Sequence, residues 1–371
     1  MTIPKFDPNE LKIVAENPDF FGDPEPIPVY NTPATGKEAV KALFERKAMW
    51  QILNSFGTEL KTFAPRINPE NIARAMVLDA LAGPGGDNPQ GGKDLFGIDW
   101  EFIPSANGSM VRPGKPFIAD ANELMDKVVW PDIDSWDWEG CKITNKDYLS
   151  GPYGYYIILF TGFFERLISF MDFEGAIIAL ADDEQQDAIK EFFDKLSDFY
   201  IRLIDKYITF FPEIDFFTLH DDWGAQKDTF FSPALAKEMI VPYMKKIVDF
   251  VHAKGKYIEI HSCGYNMKQI ENYIAAGFDM WCPQHMNDTV KLYECYGDKI
   301  LIGVMPPDFD PKTTSEDEQR AIAKAYCERF CRPDKPSMLN YSAYLNFTGI
   351  NLMTRAFREE IYKQSRINYS K

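Results

Sequence analysis

Asp215-Phe216-Phe217-Thr218-Leu219 running into His220-Asp221-Asp222-Trp223-Gly224, and Lys256-Tyr257-Ile258-Glu259-Ile260 running into His261-Ser262-Cys263-Gly264, are strand-like runs that end in metal-capable side chains. Gly277-Phe278-Asp279-Met280-Trp281, followed by Cys282-Pro283-Gln284-His285, repeats the pattern. The chain has four histidines, and three of them stand just past the carboxyl ends of these runs. The spacing predicts helices between them, over 233–254 closed by Gly255 and over 267–276 closed by Gly277. Alternating strand and helix with short loops predicts a parallel sheet. In an eight-stranded β/α barrel the carboxyl-end loops form the active face. Polar residues grouped on one side of at least three strand ends, with no dinucleotide fingerprint anywhere, favour a single closed (β/α)8 TIM barrel over a doubly wound sheet.

Working outward, a long helix is expected over 183–211, a short one over 289–296 and a strand over 299–304. Ile300-Leu301-Ile302-Gly303-Val304 is apolar on both faces, as buried parallel strands are. Toward the amino end, residues 1–36 are rich in Pro, Asp and Asn without steady periodicity and read as an irregular arm, with the barrel taking up 37–371. Helices are expected over 36–54, where Ala39, Val40, Leu43 and Phe44 recur at helical spacing, and over 69–82 behind an Asn68 cap. The glycine-rich run from Gly83 to Gly92 reads as a mobile loop. It is no phosphate cradle, because it lacks the Gly-Lys-Ser/Thr ending and a preceding strand. The segment 130–140, with three tryptophans, reads as crossing the surface.

A chain of 371 residues fits one large barrel. The net charge of -16 and pI near 4.8 argue against nucleic acid, whose phosphates need clustered Lys and Arg. Six cysteines show no disulfide framework, and Met1-Thr2-Ile3-Pro4-Lys5 lacks the apolar run of a signal peptide, so a reducing, cytoplasmic home is expected. No stretch approaches the ~20 apolar residues of a membrane span. A homodimer is compatible with the chain.

His261-Ser262-Cys263 offers an imidazole nitrogen and a thiolate from one short turn, ligand types that suit zinc. Cys282, at the next strand end, would be a third ligand, leaving the fourth position for substrate or water as in catalytic zinc sites. The plainer alternative is a hydrogen-bonded histidine beside a small buried cysteine.

Several stretches carry a resemblance: Ala48-Met49-Trp50, Asp94-Leu95-Phe96-Gly97, His220-Asp221-Asp222-Trp223-Gly224, Ser232-Pro233, Pro242-Tyr243, His252-Ala253-Lys254-Gly255-Lys256 and His261-Ser262-Cys263-Gly264. From about residue 36 to the end the chain resembles the uroporphyrinogen decarboxylase superfamily, in particular its corrinoid-dependent methyltransferase branch. The decarboxylase branch itself is disfavoured. Its substrate carries eight carboxylates and is met by arginines, whereas Met49-Trp50-Gln51-Ile52-Leu53-Asn54-Ser55-Phe56 has no basic residue. The resemblance implies one zinc per chain, held by a His-x-Cys pair and a later cysteine, and a corrinoid carried by a partner protein. The chain departs from that pattern, because Met338-Leu339-Asn340-Tyr341-Ser342-Ala343-Tyr344 has no cysteine. Cys282, His285 or an acid of the Asp221-Asp222 pair must then substitute.

The expected reaction is O-demethylation, in which a methyl group moves from a small aryl methyl ether to the Co(I) centre of the partner corrinoid protein. His220, Asp221 and Asp222 are the expected catalytic residues, although adjacent residues at a strand end point opposite ways, so at most one of the two acids acts. Trp223, Tyr153 and Tyr344, with Tyr155 and Tyr156, are candidates for holding the ring; the plainer expectation for each is core packing. Two alternatives stand beside this reading: a methyltransferase with a thiol acceptor of the coenzyme M or homocysteine type, and a non-catalytic ligand-binding barrel.

Overall fold

The computed structural model describes residues 4–17, 26–54, 58–68, 91–103, 108–159, 161–340 and 354–371. The fold is a β/α barrel. Among the described residues seven strands form its sheet: β1 (Leu60–Thr62), β2 (Gly154–Leu159), β3 (Ile214–His220), β4 (Tyr257–His261), β5 (Met280–Trp281), β6 (Leu301–Val304) and β7 (Met338–Leu339). The chain divides into two compact units, one built from residues 62–151 and 155–278, the other from 1–61, 152–154 and 279–371.

In the first unit β2, β3 and β4 pair in parallel, with Tyr156 opposite Phe216, Leu159 opposite Leu219 and His220 opposite His261. Phe216, Phe217, Thr218 and Leu219 are all buried, as a parallel strand covered on both faces requires. Helix α1 (Phe163–Ala181) follows β2, and α2 (Gln186–Phe210) leads into β3. The single helix expected over 233–254 is instead two, α3 (Pro233–Met239) and α4 (Val241–Ala253). Pro242 has no N–H to donate and sits in the first turn of α4, so the chain breaks at Ile240. Gly277, at φ 92°, closes the next helix, α5 (Ile270–Ala276), in the left-handed conformation expected of it.

In the second unit β5, β6 and β7 pair in parallel. An isolated parallel bridge between Leu53 and Leu339 adds residues 52–54 to β7, with Leu339 N–H donating to the Ile52 carbonyl at 2.9 Å. That pairing explains why the helix expected over 36–54 ends at Phe44: the chain beyond it is needed in extended form. Among its described residues the amino-terminal arm carries one strand pairing. Ile13–Asn17 and Ile27–Tyr30 pair antiparallel, and buried Glu10 takes Arg366 Nε at 2.7 Å, Arg366 Nη2 at 2.9 Å and the Tyr362 hydroxyl at 2.7 Å. Arg366 and Tyr362 belong to α6 (Arg355–Tyr369). The expected helix over 69–82 and most of the glycine-rich loop lie outside the described residues. Among the described residues no helix is long and apolar enough to cross a membrane.

One buried ion pair fixes α1 where the site will need it. Arg166, in the helix's first turn, reaches Asp94 at 2.5 Å with both side chains fully buried. Asp94 also accepts from the N–H groups of Phe96 and Ile98 and from Trp100 Nε1, each at 2.9 Å. Asp94→Ala strands a buried guanidinium and three donors, so it is expected to cost ~3–5 kcal/mol in denaturant unfolding. A loss below ~1 kcal/mol contradicts this role.

Candidate metal centre

Helix α1 begins at Gly162, which has no side chain to cap it. The cap comes from another strand end. Asp221 is fully buried, and its carboxylate accepts from Phe163 N–H and Phe164 N–H at 3.1 Å each, from Glu165 N–H at 2.9 Å and from Trp223 Nε1 at 2.8 Å. The three backbone groups are orphan donors of the helix's first turn. Only glycine allows so close an approach: a Cβ on Gly162 would lie 2.5 Å from Asp221 Cβ. The carboxylate thereby sets Glu165, in the same turn, beside His220, with His220 Nδ1 2.7 Å from Glu165 Oε2.

Because side chains alternate along an extended chain, His220 and Asp222 face one way and Asp221 the other. His220 and His261, paired across β3 and β4, stack at 4.8 Å between ring centroids and 15° between planes. Asp222 Oδ1 is 3.6 Å from His220 Nε2 and accepts from Cys263 N–H at 2.6 Å. His261 Nε2 is 3.4 Å from Cys263 Sγ. The Cys263 turn is held down by Gly264, at φ 84°, where a Cβ would come within 2.1 Å of the Gly224 carbonyl oxygen. The result is a group of four, His220, Asp222, His261 and Cys263, whose donor atoms all lie within 4.8 Å of one another.

This group fits a metal of zinc's kind. Bonds of ~2.0–2.3 Å to a tetrahedral ion put neighbouring donor atoms roughly 3.3–3.8 Å apart; His261 Nε2 and Cys263 Sγ stand at 3.4 Å, in a group that spans up to 4.8 Å. Burial, aided by the charge of His220, pushes His261 down to about 4, so its imidazole is neutral and able to donate a lone pair. Burial and then Asp222 push the Cys263 thiol up to about 11; a bound cation would reverse that. His220 differs from His261. Burial opposes its charge, but Glu165 and Asp222 outweigh that cost and hold it well above the ordinary histidine range. Burial also raises Glu165, with the neighbouring His220 pulling the other way. A histidine whose Nδ1 is held by a carboxylate is the usual outer arrangement of a metal-binding or proton-transferring imidazole.

Of the residues singled out from sequence, His220, Asp222, His261 and Cys263 come together. Asp221 does not join them, because its oxygens cap α1. Trp223 is fully buried against Phe231 and Tyr273 and lines no mouth. Tyr153 precedes the amino end of β2, beneath the ammonium of Lys61 at 5.3 Å, whereas the group stands at strand carboxyl ends. Tyr344 lies outside the described residues. Cys282 is buried, its Sγ 3.9 Å from Met338 Sδ, and His285 is exposed. Glu165 was not foreseen; its one sequence signal is an acid in the first turn of a helix that follows a strand. Asp221→Ala is expected to lower stability by ~2–4 kcal/mol by uncapping α1, and Asp222→Ala by less than ~1 kcal/mol. Equal losses in chemical denaturation contradict this division of labour.

Residues 170–337 match the sequence profile of the family described as Uroporphyrinogen decarboxylase (URO-D). Among curated proteins no sequence match is found. Among solved structures, a methyltransferase from Methanosarcina mazei is similar at a TM-score of 0.56 and 14% identity, covering 90% of this chain and 98% of that one. An endo-beta-1,4-mannanase from Thermotoga petrophila overlaps more loosely, at a TM-score of 0.35 and 10% identity over 86% of this chain and 77% of that one. The profile match covers 168 of the 371 residues, and the likeness to the methyltransferase structure at this identity shows a shared barrel fold.

Proposed function

We propose that the protein is a methyltransferase that takes a methyl group from an aryl methyl ether and delivers it to the Co(I) centre of a corrinoid carried by a partner protein. The observation that carries this reading is the group His220, Asp222, His261 and Cys263 at the carboxyl ends of adjacent barrel strands. The profile match to the URO-D family and the fold shared with a protein described as a methyltransferase support it. Asp222, His261 and Cys263 would hold zinc, with Asp222 in the place that sequence reasoning gave to Cys282. Bound there, zinc would act as a Lewis acid toward the ether oxygen.

In this reaction the ether C–O bond would break with its electron pair left on oxygen, and the partner's Co(I) corrinoid would supply the electron pair that takes up the methyl group. The departing phenolate must be stabilised and then protonated. His220 would supply that proton: Glu165 lies 2.7 Å from its Nδ1, and its Nε2 faces Asp222 of the same group at 3.6 Å. Glu165 thus acts through His220, as a positioning residue. Asp222 both accepts the Cys263 N–H and faces His220, so it ties the two strand-end turns together.

Mixing zinc-loaded enzyme with a reduced corrinoid protein and methoxylated aromatics should convert the Co(I) absorbance to that of methyl-Co(III) and release one phenol per methyl group. His220→Gln should slow that conversion ~100-fold or more, the usual contribution of a positioned acid. Decarboxylation of uroporphyrinogen, or transfer to a free thiol alone, contradicts the reading. The absence of any transfer favours a ligand-binding barrel.

A further inference from the structure

A small cleft lies wholly within the second unit, where the strand Ile27–Tyr30, residues 50–53 and 58–59, and α6 meet. Its volume is about 40 Å3. A water needs ~10–15 Å3 by the same measure, so the cleft has room for a few waters or one small ligand. None of the four donor residues of the candidate metal centre lines it. Its walls include Tyr30, Trp50, Leu53 and Tyr362, and they carry one acid, Glu59, and one guanidinium, Arg358.

Two observations mark this cleft as more than a packing gap. Glu59 is buried, and its carboxylate is held by neutral donors: Trp50 Nε1 at 3.1 Å, the Thr58 hydroxyl at 2.9 Å and the Thr58 N–H at 3.1 Å. Burial raises its carboxyl above the ordinary range in spite of them. A cation beside it would relieve that cost. The second observation is Tyr30, whose hydroxyl is buried and finds no hydrogen-bond partner. Native structures rarely leave such a group unanswered. Burial and then Glu359 raise the phenol, with Arg358 pulling the other way, so its O–H keeps its proton as a donor close to a positive charge. A donor next to a guanidinium is what a carboxylate needs, and a carboxylate is what an ammonium needs.

We infer that the cleft binds a small zwitterionic amino acid, whose ammonium donates to Glu59 and whose carboxylate accepts from the Tyr30 hydroxyl beside Arg358. The inference stands apart from the demethylase reading, because it uses neither the donor group nor its chemistry. The small volume selects a ligand of glycine's size and excludes one with a bulky side chain. A ligand with only one of the two charges leaves either Glu59 or the Tyr30 hydroxyl unanswered, so it binds more weakly. Once bound, the amino acid ties the amino-terminal arm, through Tyr30, to the chain before β1, through Glu59.

Titration calorimetry on the full-length protein tests this with glycine, methylamine, acetate and phenylalanine. Glycine should bind, methylamine and acetate about tenfold more weakly or worse, the usual size for a lost bond to a charged group, and phenylalanine not at all. Glu59→Gln should abolish glycine binding. Tyr30→Phe removes an oxygen with no partner, so it should fold as well as the wild type and weaken glycine about tenfold; it carries the test if Glu59→Gln fails to fold. Because glycine can also chelate a metal, the binding must persist in Cys263→Ala. No binding of glycine, equal binding of methylamine, acetate or phenylalanine, unchanged affinity in Tyr30→Phe, or a signal lost in Cys263→Ala overturns the inference.

Discussion

The candidate centre depends on one carboxylate that takes no part in it. Asp221 sits between two residues of the donor group and points away from both, into the start of α1, where it takes three backbone N–H groups and an indole N–H. Without it the helix would begin with unmet donors in a buried place, and Glu165 would lose its position against His220. The buried ion pair of Arg166 and Asp94 secures the same turn. The sequence His220-Asp221-Asp222 therefore does two jobs by alternation alone: its outer residues face the strand-end chemistry, and its middle residue anchors the helix that supplies Glu165.

The electrostatics of the group follow from crowding a few ionisable side chains into a buried corner. Two stacked histidines cannot both be charged. The acids sit beside His220, so His220 carries the proton and His261 is left neutral. In the proposed reaction that separation would give each ring a different task, lone-pair donor for His261 and proton carrier for His220. The donor types of the proposed ligand set, one thiol, one neutral imidazole and one carboxylate, suit a borderline-soft ion and would leave a fourth position for substrate, as catalytic zinc sites do.

Much of this was legible in the sequence, and the failures have physical causes. β3 and β4 ended where apolar runs met His220 and His261, because parallel strands are buried on both faces and their ends are not. Cys282 looked equivalent to Cys263 from its place after a strand, yet strand-end position alone does not set side-chain direction, and its sulfur turned to Met338. Trp223 was attractive as a ring-binding aromatic, but its indole N–H found Asp221 and its ring found the core. Glu165 was invisible because its partner lies 55 residues away and the contact exists only once α1 is capped from β3. The helix predicted through Asn54 failed because pairing with Leu339 outweighed local periodicity.

X-ray absorption at the zinc edge of the zinc-loaded protein tests the proposed ligand set most directly. A single sulfur near 2.3 Å with nitrogen and oxygen completing the shell is the predicted result, and that sulfur should vanish in Cys263→Ala. Two sulfur ligands, or one that survives in Cys263→Ala and is lost in Cys282→Ala, would contradict a centre built on Asp222, His261 and Cys263.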